Sequence, residues 1–236
     1  MSARTDDRGA AYAGSQLQTQ LYVNKRTEQL DETIRVALPE LGDASFDWRS
    51  PLADDHYAEY WDAAFLRKLG LDDHVEALAA FWPGRGGPHW DALAVVSRPA
   101  STAPGVLLAE GKSYPDEMLK GTGLGATDPA SVRMIETALG WTQGLLGLPL
   151  DLRAWRGPLY QNANRLAHAS WLRSRGVEAW VVHLLFTDDP HGPTSKSEWE
   201  QALSQADAAL GLAGTPVPVS GHVFLPAGSR AELLSQ

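Results

Sequence analysis

Two short apolar runs flanking a turn-rich loop restrict what this chain can fold into more than any other feature. Trp90-Asp91-Ala92-Leu93-Ala94-Val95-Val96 is followed by a segment rich in Pro, Ser and Thr, then by Gly105-Val106-Leu107-Leu108-Ala109-Glu110-Gly111-Lys112-Ser113-Tyr114. Short apolar runs bounded by turn residues are the signature of a β-hairpin with a longer loop. Val106 to Ala109 is apolar without alternation, which points to a strand covered on both faces.

The charges in these runs are the candidate chemistry. Side chains two apart on a strand share a face, so Glu110 and Lys112 point together and Gly111 points away. Asp91 joins them only if the hairpin register pairs odd with even residues. Two carboxylates and an ammonium would then converge at one end of a buried sheet, where charges persist only when paired or bound to an ion. Adjacent carboxylates suit a hard divalent cation, Mg2+ with Mn2+ as the alternative. The competing reading is a salt bridge at the rim of a sheet. The chain has only five lysines, and one of them is here.

At 236 residues with 44% apolar content and nine tryptophans, one globular domain is expected. Residues 1–16 read as a flexible tail and 17–236 as the domain. With no cysteine, disulfides and thiolate metal sites are excluded. No apolar run reaches membrane-span length and no apolar signal core opens the chain, so a cytoplasmic protein is the expectation. The net charge of −9 argues against tight non-specific nucleic-acid binding.

Helices are expected over 17–38, ended by Pro39, over 55–69 with an apolar stripe of Trp61, Phe65 and Leu69, over 128–146 and over 195–210. Periodicity leaves 71–82 open between helix and strand. Residues 42–51 read as a loop, 113–128 as a mobile flap and Asp188-Asp189 as a solvated connection. Val177–Thr187 reads as a buried strand, and Val217–Leu225, with prolines about it, as an edge strand. Leu159 to Leu172 is a two-faced helix with Gln161, Asn164, Arg165 and His168 on one side. That face is expected to turn toward the hairpin's charged end, although His168 alone reads as a packing histidine.

Asp91, eighteen intervening residues, and Glu110-Gly111-Lys112 resemble the Asp…Glu-x-Lys core of the PD-(D/E)XK nuclease superfamily, with Trp90 where many members carry Pro. The chain also resembles a group of uncharacterised bacterial proteins with Trp-Asp-Ala-Leu, Glu-x-Lys and Tyr-Gln-x-x-Asn-Arg-Leu-Ala-His segments, here Trp90–Leu93, Glu110–Lys112 and Tyr160–His168. The resemblance implies an α/β fold with a restriction-endonuclease-like mixed sheet flanked by helices. It implies a magnesium-dependent nuclease acting on nucleic acid, DNA before RNA. Asp91, Glu110 and the Gly111 carbonyl would hold the metal, with Glu59 on the preceding helix reaching it. Lys112 would activate or position the attacking water. Gln161 would assist catalysis, and Tyr160, Asn164 and Arg165 would contact substrate. The alternative is a non-catalytic interaction module that keeps the fold.

Overall fold

A computed structural model describes residues 4–99, 101–215, 217 and 219–235. Among these residues five strands, β1 (Ser45–Ser50), β2 (Ala92–Ser97), β3 (Gly105–Lys112), β4 (Ala179–Thr187) and β5 (Ser220–Pro226), form one open mixed sheet in the order β1-β2-β3-β4-β5. β1–β2 and β2–β3 pair antiparallel, and β3–β4 and β4–β5 pair parallel. The central strand β3 is buried at all eight positions, as its unbroken apolar run requires.

Among the described residues, ten α-helices flank the sheet: α1 (Gly14–Lys25), α2 (Thr27–Ala37), α3 (Asp62–Lys68), α4 (Val75–Phe81), α5 (Asp116–Leu119), α6 (Pro129–Leu145), α7 (Leu152–Arg156), α8 (Tyr160–Ser174), α9 (Lys196–Leu210) and α10 (Arg230–Leu234). The alternation of side chains along each strand separates two cores. Leu107, Ala109, Trp180, Val182 and Leu184 pack with α1 and α2 on one face. Leu93, Val106, Leu108, Val181 and Leu185 pack beneath α3, α4 and α6–α9 on the other. Asp91, Glu110 and Lys112 keep parity with this second set, so they project toward α8.

α8 is buried from Asn162 through Leu172. It is therefore wedged between β4 and α6–α7, with hardly any of its circumference in water. Local signals frame the outer helices: Asp128 caps α6 by accepting from Ser131 N at 2.8 Å, Ser195 and Glu198 form a capping box on α9, and Gly211 ends it at φ +76°.

Several expectations need correction. Residues 4–16 are not a loose tail. Thr5 bridges Ala11, Ala10 and Ala11 are fully buried, and Gln20 Oε1 accepts from Ala11 N at 2.8 Å; positions 1–3 lie outside the described residues. The helix expected over 17–38 is two helices that break at Arg26, whose guanidinium pairs with Glu232 at 2.6 Å. The segment 42–51 contains β1, whose alternating Phe46 and Trp48 form one face. Residues 71–82, open between helix and strand by periodicity, contain α4. The stretch 113–128 is pinned, with Gly121 N donating to Pro158 O and Leu124 N to Arg156 O. Asp189 is buried and accepts from Ser113 Oγ at 2.7 Å.

Gly111 shows why a small residue stands between the two charged ones. α1 crosses the sheet so closely that a Cβ at Gly111 would lie 2.4 Å from Thr19 Oγ1 and 3.3 Å from the Phe186 ring. Gly111→Ala is expected to lower stability by about 1–3 kcal/mol through overpacking. Urea denaturation checks this, and an unchanged midpoint would mean α1 can move aside at no cost.

Candidate functional site: a charged cluster at the end of the central strand

The hairpin register pairs Ala92 with Ala109, even with odd. Extending the ladder by one residue sets Asp91 opposite Glu110 on the same face, and Gly111 N donates to Asp91 Oδ2 at 2.7 Å. The two carboxylates and Lys112 therefore meet as the alternation of side chains allows.

Glu110 is 3% exposed and gripped from two sides. Lys112 Nζ lies 2.6 Å from Oε1, and Arg165 Nε donates to Oε2 at 2.6 Å. Burial alone would raise the Glu110 pKa, but the Arg165 and Lys112 charges and their hydrogen bonds outweigh it and hold the group below the usual carboxylate range. Asp91 moves the other way. Desolvation, then the Glu110 and Glu59 charges, push it well above its ordinary value, against the pull of Lys112 and Arg165. Glu59 is raised by burial and by Glu110, with Gln16 Nε2 donating to its Oε1 at 3.1 Å.

Glu59 thus belongs to the cluster, but not by the expected route. The helix expected over 55–69 exists only from Asp62. Glu59 lies in the segment before it, carried to the site by the bridge between Tyr60 and Trp90. Trp61 is also not part of an apolar stripe. It is 43% exposed and stacks on His89, ring centroids 4.4 Å apart and planes within 9°.

The α8 face turns inward as expected. Gln161 remains exposed, yet its Oε1 accepts from Lys112 Nζ at 3.1 Å. Arg165 is 4% exposed and fully engaged: besides Glu110 it donates to His89 O at 2.9 Å, Asn164 Oδ1 at 3.0 Å and Gln161 O at 3.2 Å. Its position makes it a holder of Glu110, and Asn164 a holder of Arg165, where both had been expected to touch substrate. Tyr160 is half-buried and stacks on Trp82, and burial raises its pKa to about 12; its face is directed at the aromatic core.

His168 is the packing histidine that its position suggested. Its Nδ1 lies 2.7 Å from Asn164 O and its ring abuts Trp82 at 4.7 Å, with Phe65, Phe81 and Trp90 around it. Burial lowers its pKa to about 4, with Arg165 the nearby charge acting in the same direction. A histidine whose folded pKa lies below the unfolded ~6.5 contributes stability that is complete above pH ~6.5 and is lost as pH falls toward 4. The shift corresponds to about 3 kcal/mol at full extent. His168→Phe is expected to flatten the loss of stability between pH 6.5 and 4.5, measured by denaturant titration at each pH. An equally steep loss would assign it to other groups.

The Asp91 and Glu110 carboxylates and the Gly111 carbonyl are oxygen donors of the kind Mg2+ takes, since it binds through one or two carboxylates and retains waters. Among the described residues, no three His, Cys, Asp or Glu side chains are arranged to hold an ion as they stand. The chemistry fits, and Glu110 would have to loosen from Lys112 to take part.

Two histidines escaped the sequence reading. His183 pairs with Glu110 across β3–β4, and His222 pairs with His183 across β4–β5. Each stood within an apolar strand, and only the inter-strand register reveals that they continue the Asp91–Glu110 row. No helix among the described residues is long and apolar enough to cross a membrane. No family model, curated protein or solved structure matches the chain, so its reading rests on the geometry above.

Proposed function

We propose that the protein is a metal-dependent nuclease of the PD-(D/E)XK type, with a restriction-endonuclease-like core and DNA ahead of RNA as substrate. The observation that carries this reading is the placement of Asp91 opposite Glu110, with Lys112 beside them, at the end of a central strand. A divalent cation bound there would stabilise charge on the scissile phosphate and lower the pKa of a bound water.

The chain's own residues have separable tasks. Asp91 and Glu110 supply the anionic oxygens. Arg165 holds Glu110 Oε2 and leaves Oε1 to Lys112, so the carboxylate is oriented from behind while its other oxygen faces an exchangeable partner. Lys112, once drawn from Glu110, is placed to hold the attacking water or a phosphate oxygen, and Gln161 Oε1 fixes its direction. Trp61 stacked on His89 offers an exposed aromatic surface next to Glu59 and Arg165, of the kind on which bases stack.

A second reading, a non-catalytic interaction module with this fold, is favoured by one observation: Glu110 already has its charge balanced by two cations. Incubating the protein with single- and double-stranded DNA and RNA, with Mg2+, with Mn2+ and with chelator, separates the two. Metal-dependent cleavage of any form supports the nuclease. Stable binding with no cleavage of any form supports the module.

A further inference from the structure

The polar row across the sheet does not end at Glu110. His183 and His222 stand side by side on the α8 face, ring centroids 5.2 Å apart and planes within 29°. His183 is 4% exposed, and neither of its ring nitrogens, nor Nδ1 of His222, meets a hydrogen-bond partner among the described residues. A buried polar atom left without a partner costs about 1–3 kcal/mol. Two adjacent imidazoles therefore keep donor and acceptor capacity that the protein itself does not use. The space exists: both line a partly open cavity of about 160 Å3 bounded by β4, β5, α8 and α9, together with Asn162, Asp207, Leu166 and Leu210.

We infer that this cavity takes an uncharged single-ring heterocycle of the pyrimidine class, free or as the base of a nucleotide. Size admits a single ring. An engineered cavity of roughly 150 Å3 accommodates benzene, so one six-membered ring fits, and the larger purine is the control. Chemistry sets the edge. A neutral imidazole offers one donor and one acceptor, and the Asn162 amide offers both kinds, which suits a ring edge with alternating donors and acceptors. The Leu166 and Leu210 side chains supply apolar surface for the ring faces.

Charge excludes the other candidates. Burial holds His222 neutral near pH 7, its pKa lowered to about 4, and no Lys or Arg lines the cavity among the described residues, so an anion finds no counter-charge. A dication would meet one carboxyl group, Asp207, which burial already raises above its ordinary range. It would also feel Lys112 on β3 and Arg165 on α8, whose charges reach His183.

This inference does not depend on the cleavage reading, because binding is read without metal. Calorimetry on the full chain would use cytidine and uridine, adenosine as the size control, and a short oligopyrimidine. Saturable binding of a pyrimidine nucleoside, at least tenfold weaker adenosine binding, and at least tenfold loss in Ala206→Leu, which fills the cavity from α9, are expected. Asn162→Leu removes the polar edge and guards against a folding defect in the first variant, with thermal melting checked for both. Binding of the oligopyrimidine but not the nucleosides, lost in the same variants, identifies a base within a strand as the source. The inference is overturned by no saturable binding of either form, by binding unchanged in both variants, or by Zn2+ shifting the His183 and His222 ring resonances while pyrimidines do not.

Discussion

Lys112→Met is expected to reduce metal-dependent cleavage by about a hundred- to a thousandfold, the usual loss when one group aimed at developing charge is removed. The fold should survive. Methionine keeps the apolar stem that lies within the buried end of β3, and Glu110 retains Arg165 as its partner. The main effect should therefore fall on kcat, with a thermal midpoint lowered far less than in Arg165→Leu, because Glu110 keeps one cation. Gln161→Ala should show a smaller loss of the same kind, because Gln161 only directs the ammonium. Retained cleavage by Lys112→Met would remove the lysine from the mechanism, and a collapsed melting temperature would make it a structural residue.

Arg165→Leu is expected to have the largest effect on stability, about 3–5 kcal/mol, the cost of stripping one partner from a buried ion pair. Four groups lose a donor at once: the Glu110 carboxylate, the His89 and Gln161 carbonyls and the Asn164 amide oxygen. The cation also lies 5.6 Å from the Trp90 ring centroid, a contact that leucine does not replace. Arg165→Lys should recover only part of the loss, since an ammonium cannot reproduce the fork that serves Glu110 and His89 together. Denaturant unfolding of the three proteins measures this. A cost below 1 kcal/mol would mean that Glu110 is satisfied by Lys112 alone.

The hairpin and its charges were legible in the sequence because strand alternation is a local rule. Once two apolar runs are joined by a turn, the faces of Glu110, Gly111 and Lys112 follow, and only the parity of the register had to come from coordinates. The helix around Arg165 was legible as a helix directed at the site, but not its burial, since polar residues at helical spacing look the same whether they face water or an ion pair. The opening residues misled for a related reason: Ala10 and Ala11 are too small to register as core, and Gln18 and Gln20 are buried by bonds to Gly228 and Ala11 that no pattern announces. Glu59 falls inside the helix expected over 55–69. In the folded chain Asp55 accepts from Lys68 at 2.7 Å, and the helix begins seven residues later. His183 and His222 were out of reach, because their partnership is a matter of parallel register between strands far apart in the chain.

The most direct test of the central claim, that Asp91 and Glu110 together hold a catalytic cation, is a calorimetric Mg2+ titration in the presence of a non-cleavable oligonucleotide, comparing the natural protein with Asp91→Asn. The account predicts saturable magnesium binding by the natural protein and its loss in Asp91→Asn, with the fold of both intact by circular dichroism. Absence of binding in the natural protein, or equal binding in the two, would contradict it.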